Sequence, residues 1–232
     1  MEIINKTPEK MVVRTSMNYS LLNAIRRSVE EIPVLAIDEV EIFKNDSALY
    51  DEVLAHRIGL VPIKNDGKIS AKSTGTLSLK KSGPGKVYSG DFKGDVKVVY
   101  NSIPLTILEK DQEIEIVASA NVGTGLEHTK YVPGLIYYKN LFEVKSGNSK
   151  IEGIIQHSSG AIKNEKKGTK WVCDLNDHQV DEIKKIDKES ISDSNEFLLF
   201  VESFGMIDAE KIFSKAIETL QNNLEAFEGQ LK

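Results

Sequence analysis

Near the end of the chain Phe213, Ile217, Leu220, Leu224, Phe227 and Leu231 recur at intervals of four, three, four, three and four residues. That alternation is the heptad spacing of a helix with one apolar seam, and it predicts a long terminal helix that Asp208 can cap. A seam must be covered, because an isolated helix derives little stability in water from its backbone alone. At the other end SLLNAIRRSVEEIP carries a second helix, with Ser20 read as its cap and Pro33 beyond its end. Leu22, Ile25, Val29 and Ile32 form one stripe on it. Arg26 flanks that stripe, whereas Arg27, about 100° further round, points away. Two outcomes fit: the end helices pack on each other and on a sheet, or together they present a surface to another chain.

Between them the signals are mostly those of strands and turns. VLAIDEVEIFK, VKVVY, EIEIVASA, LIYYK and FLLFVESF have strand character, and LYDEVLAHRIGLVPI has that of a short helix stopped by Gly59 and Pro62. From Lys64 to Ser89 the chain turns to Gly, Ser, Thr and Lys and predicts a loop-rich hairpin region, with LSLK as a short strand piece. Residues 151–170 read as a polar excursion. The fold class expected is α+β: a helix-and-strand platform built from both ends, with a mainly β insertion between them.

With 232 residues the chain can bury a substantial core. One cysteine, Cys173, excludes an intrachain disulfide and fits a reducing, cytoplasmic setting. No apolar run is long enough to span a bilayer, and the N-terminus lacks a signal peptide's apolar stretch, so no membrane association is expected. A net charge of −5 argues against general nucleic-acid binding. The charge is uneven, with eight lysines against three aspartates over residues 64–97 and fourteen acidic against six basic residues over 174–232.

Catalytic motifs fail on spacing. KSGPGK is followed by Val87 and does not complete a phosphate loop. Glu52 and His56, four apart on a helix, could share a metal or a proton, and His128 could complete such a site, but HExxH needs a second histidine on that face. His157 and His178 lie in polar surroundings, and Cys173 follows Trp171 in a strand as a small packing residue. No metal or other cofactor is expected. The cluster Asp51, Glu52, His56 and Arg57 then reads equally as a docking surface or as an internal network holding Arg57.

The stretch NAIRRSVEEIPVLAIDEVEIFKNDSALYDEVLAHRIGLVPI closely resembles the N-terminal part of the D-type, alpha-like subunit family of archaeal RNA polymerase, relatives of the bacterial alpha subunit and the eukaryotic third-largest subunit. SGDFKG, NVGTGLEHTKYVP and FLLFVESFG before an amphipathic helix match it in order, over nearly the whole chain. The resemblance implies a non-catalytic assembly subunit of a DNA-dependent RNA polymerase. It would form a heterodimer with a small alpha-like subunit, L, and hold the large catalytic subunits and other small subunits, without sequence-specific DNA contacts. It implies a dimerisation domain of residues 1–44 and 190–232 and an inserted domain of residues 45–189. Carried onto this chain, the dimer interface would comprise Leu22, Ile25, Val29, Phe213, Ile217, Leu220, Leu224 and Phe227. The large-subunit contact would comprise Arg26, Arg27, Asp51, Glu52, His56 and Arg57. Many archaeal members carry a cysteine-rich iron–sulfur insertion and eukaryotic relatives a four-cysteine zinc site. Here residues 141–188 hold only Cys173, so a simpler lobe without a cluster is expected. The runner-up is a small metal-dependent or acid/base enzyme centred on Glu52, His56 and His128.

Overall fold

The computed structural model describes residues 1–65 and 72–231. In chain order the first half carries β1 (Glu2–Lys6), β2 (Lys10–Thr15), α1 (Tyr19–Ser28), β3 (Val34–Asn45), α2 (Asp51–Gly59), β4 (Thr74–Ser82), β5 (Gly85–Tyr88), β6 (Lys93–Gly94) and β7 (Pro104–Leu108). The second half carries β8 (Glu113–Gly123), β9 (Gly134–Lys145), α3 (Ser149–Gln156), β10 (Glu165–Lys167), β11 (Lys170–Cys173), α4 (Asp177–Ile186), β12 (Ile191–Ser203) and α5 (Ala209–Gln230). The fold is mixed α and β, dominated by sheet, with five helices among the described residues.

The strands form a six-stranded sheet in the order β1-β2-β12-β9-β11-β10, a four-stranded sheet in the order β3-β8-β4-β6, and the pair β5-β7, with antiparallel neighbours throughout. FLLFV in β12 is apolar without interruption because this central strand is covered on both faces. Phe197, Leu199 and Val201 meet α1 and α5, while Leu198 and Phe200 meet Val12, Leu141 and Val172 on the other side. β3 divides its side chains differently: Val34 and Ala36 belong to the core under α1 and α5, and Leu35 and Ile37 to the core of the four-stranded sheet. Asn65 ties this junction. Its side-chain oxygen accepts from Leu35 N (2.7 Å), its amide donates to the carbonyls of Leu35 (3.2 Å) and Ile63 (2.9 Å), and its backbone N–H reaches Met206 O (3.0 Å).

Several local expectations change. Asn18, not Ser20, caps α1, its side chain accepting from Leu21 N at 2.8 Å. Asp208 stands at the start of α5 but makes no side-chain cap; its carboxylate instead lies 3.4 Å from Lys211 Nζ. VKVVY is not a strand. Its backbone is bonded by Lys64 N to Lys97 O (2.7 Å) and Val99 N to Pro62 O (2.9 Å), so it has partners without extending a ladder. LSLK lies inside the nine-residue β4, which takes up much of the described part of the Lys64–Ser89 stretch; residues 66–71 of that stretch lie outside the described residues.

The polar stretch 151–170 opens inside α3. With α4, β10 and β11 this helix forms a lobe with its own core, in which Ile151, Ile155, Cys173, Val180 and Ile183 are buried. Asn148 caps α3, and Asn176 with Gln179 forms a reciprocal capping box on α4. Asp174 is fully buried in the lobe, paired with Lys139 and accepting from Ala161 N at 2.6 Å.

Candidate functional site

Helix α2 is short and weakly capped, since Tyr50 at its N-cap makes no side-chain bond. It is held by Leu54 and Ile58, four apart and both fully buried against the four-stranded sheet. Its charges suit the helix dipole, with Asp51 and Glu52 in the first turn and His56 and Arg57 in the last. All four are exposed. Asp51 Oδ1 accepts from Asn45 Nδ2 at 2.8 Å. Arg57 folds back onto β7, where its Nε donates to Leu105 O at 3.0 Å and its Nη2 donates to Pro104 O.

Beside that clamp lies a mainly apolar cavity of about 470 Å³, lined by Leu49, Arg57, Lys86, Tyr88, Pro104 and Ile107, among others. Ile107 of its lining stands in solvent, as do Tyr50 (81% exposed), Val53 and Leu60 on and beside α2 and, on β3, Phe43 (66% exposed). A concentration of exposed large apolar side chains is the mark of an interaction surface. Tyr50 and Ile107 do not stand out in the sequence by itself. The available signal is a tyrosine at a position where Ser, Thr or Asp is the favoured cap.

The end helices are placed unequally. Leu22, Ile25, Val29 and Phe213 are buried in the chain's own core. Leu220 is half-buried against that core, Ile217 is exposed, and Leu224, Phe227 and Leu231 are 62%, 60% and 72% exposed. The seam of α5 therefore changes character along its length: its first turns pack inside the chain and its last turns carry uncovered apolar side chains. Asn223 Nδ2 donates to Glu31 Oε2 at 2.6 Å, close to where the helix leaves the core. Arg26, on α1, bonds Asn23 Oδ1 through Nη2 at 2.9 Å, and Arg27 is exposed.

His128 of the enzyme reading has a local structural role. His128 Nδ1 accepts from Lys130 N at 3.1 Å and caps the short 3-10 turn Thr129–Tyr131. Among the described residues no group of three or more His, Cys, Asp or Glu side chains could hold a metal ion. The Cys173 thiol is buried and pushed up to about 12, by burial first and by Asp174 second, which opposes a nucleophilic role. The loop bearing His128 is fixed instead by Asp38, whose carboxylate accepts from Lys130 Nζ (2.6 Å) and Tyr131 Oη (3.0 Å). Lys130, Tyr131 and Asn121 together hold Asp38 below its ordinary value, and burial with the nearby Asp38 carboxylate pushes the Tyr131 phenol up to about 12. Among the described residues no helix is long and apolar enough to cross a membrane.

Comparison with known proteins identifies a family. Residues 40–138, which run from within β3 to within β9, match the model of the RNA polymerase Rpb3/RpoA insert domain. The chain is 39% identical over 155 residues to DNA-directed RNA polymerase subunit Rpo3 of Thermococcus kodakarensis, an alignment covering 62% of this chain and 60% of that relative. It is 41% identical to the Rpo3 of Pyrococcus horikoshii over 60% of this chain and 58% of the relative. These two alignments thus span less than two thirds of either relative. With the Rpo3 of Pyrococcus furiosus the likeness extends over 100% of this chain and 96% of the relative, at 32% identity. A chain that aligns over its whole length with that relative, at this identity, belongs to the Rpo3 family of DNA-directed RNA polymerase subunits.

Proposed function

We propose that this chain is a non-catalytic assembly subunit of a DNA-directed RNA polymerase, pairing with a small alpha-like subunit and supporting the large catalytic subunits. The observation that carries the reading is the uncovered apolar half of α5. Ile217, Leu224, Phe227 and Leu231 stand in solvent on a helix whose other half is anchored in the core, as expected of an element completed by a second polypeptide. Leu22, Ile25, Val29 and Phe213 support that surface from beneath, and Leu220 borders it. In this reading residues 1–44 and 190–232 form the dimerisation platform, joined by β9, and the insertion of residues 45–189 carries the surface around α2. There Asp51, Glu52 and His56 with Tyr50 and Val53 would face a large subunit, Arg57 would shape the cavity wall, and Arg26 and Arg27 would extend the contact from α1. The engagement of His128 as the cap of Thr129–Tyr131 favours this over an enzyme centred on Glu52, His56 and His128.

The test is stepwise reconstitution followed by light scattering after gel filtration. The wild-type chain is expected to form a one-to-one complex with the small alpha-like subunit and then to take up a large subunit. A chain changed at Leu224→Asp and Phe227→Asp should fold yet fail at the first step. Normal pairing by that variant would overturn the assignment of α5.

A further inference from the structure

Apart from Lys86 and Tyr88, which line the cavity beside α2, the lysine-rich stretch and the SGDFKG motif have no part in the surfaces above. They meet in a groove of about 540 Å³ on the four-stranded sheet, near its β6 edge. One wall is the pairing of Pro62–Lys64 with Lys97–Val99, where Ile63 and Val98 form an isolated antiparallel bridge. The other comprises Gly90, β6 and Asn101. Both glycines sit where backbone approaches closely: a Cβ on Gly90 would lie 2.7 Å from Asn101 Cβ, and one on Gly94 would lie 2.0 Å from Thr76 O. The groove's shape is therefore set by main chain.

Its charge is distinctive. Lys80 and Lys81 are neutralised by Glu115 and Asp91, at 2.7 and 2.6 Å. Lys64, Lys93 and Lys97, all exposed and all lining the groove, make no ion pair among the described residues. Half-buried Val96 and Val98 add apolar surface to its otherwise polar lining, while Phe92 is buried. Beyond β6 the sheet has no further strand among the described residues.

We infer that this groove binds an extended polypeptide segment in which Asp or Glu side chains alternate with apolar ones, the carboxylates meeting Lys64, Lys93 and Lys97 and the apolar groups resting on Val96 and Val98. Charge complementarity selects the carboxylates, and an open sheet edge suits a strand-like ligand. A nucleic acid is disfavoured, because three lysines on a chain of net charge −5 offer few of the roughly six to ten phosphate contacts typical of such binding. The site is distinct from the surfaces on α2 and α5 and is tested without any polymerase partner.

The full chain is titrated into a short fluorescein-labelled peptide of Glu, Asp and Leu and, separately, into a single-stranded oligodeoxynucleotide of equal charge, with anisotropy as the readout. The peptide should bind, and more weakly as salt rises. Changing Lys64→Ala, Lys93→Ala and Lys97→Ala together should weaken it about tenfold, the product of three attractions each worth a few-fold at an exposed site. Lys110→Ala, an exposed lysine outside the groove, should leave it unchanged. Lys93→Glu alone should also weaken binding, and thermal unfolding of each variant confirms that it is folded. Equal peptide binding by the triple variant, no binding by the wild type, or tighter binding of the oligonucleotide would each overturn the proposal.

Discussion

Arg57 Nε donates to the carbonyl oxygen of Leu105 at 3.0 Å, while its Nη2 serves the neighbouring carbonyl of Pro104. One side chain thereby joins α2 to the β5-β7 pair and shapes the wall of the apolar cavity. Arg57→Ala leaves two carbonyl groups without their charged donor and should lower stability by about 1 to 2 kcal/mol, read as a lower denaturant midpoint at unchanged slope. Arg57→Lys should not restore the loss, because an ammonium lacks the planar fork that meets two acceptors. Unchanged stability in both variants would leave the clamp without energetic weight.

Asn65 bonds Leu35 from both ends of its amide, at 2.7 and 3.2 Å, where the two main cores meet. Asn65→Ala removes donor and acceptor together from a half-buried site and should cost about 1 to 3 kcal/mol. Asn65→Asp retains the acceptor for Leu35 N but places negative charge beside the carbonyls of Leu35 and Ile63, and should also destabilise. Urea unfolding monitored by far-UV circular dichroism measures both.

The two halves of the end-helix seam should respond in opposite ways. Leu22→Ala, in a fully buried position, should destabilise the isolated chain by about 2 to 5 kcal/mol. Leu224→Ala and Phe227→Ala, at sites more than half exposed, should stay within about 0.5 kcal/mol of wild type. A large loss in the second pair would show that these side chains are covered within the chain itself.

Asp38 and Tyr131 make stability depend on pH at both extremes. The folded Asp38 carboxyl lies below its ordinary value of 3.8 because Lys130, then Tyr131 and Asn121, bond the ionised form. Its contribution is therefore present above 3.8 and is lost as pH falls below that value. Tyr131 is shifted from 10.0 to about 12, so the neutral phenol's contribution is full below 10.0 and is lost between 10.0 and about 12. Asp38→Asn should flatten the acid limb of a plot of unfolding midpoint against pH, and an unaltered limb would remove Asp38 as its source.

Cys173 should be inert to a thiol reagent such as dithionitrobenzoate in the folded chain and react at once when the chain is unfolded. Its side chain is wholly buried in the α3-α4 lobe, and its thiol is pushed up to about 12. Stoichiometric reaction under native conditions would show that the lobe opens readily.

What is legible in the sequence is what repeats locally. The apolar spacing of α1 and α5 and the strand character of FLLFVESF in β12 each follow from one element's own apolar pattern. The strands β1 and β2 and the helices α3 and α4 escape such a reading because they are short: the apolar residues of α3 (Ile151, Ile154, Ile155) and of α4 (Val180, Ile183, Ile186) each span less than two turns, too little to fix a period. Periodicity also states that a residue calls for cover without stating what supplies it. Phe213 and Phe227 occupy the same seam in sequence, and only the sheet beneath α5 decides that the first is buried and the second is not. The same holds for Arg57 and Asn65, whose partners include main-chain groups 48 and 30 residues away. A carbonyl or N–H is present at nearly every position and leaves no mark in the side-chain sequence, so only the tertiary fold could choose which of them these residues meet.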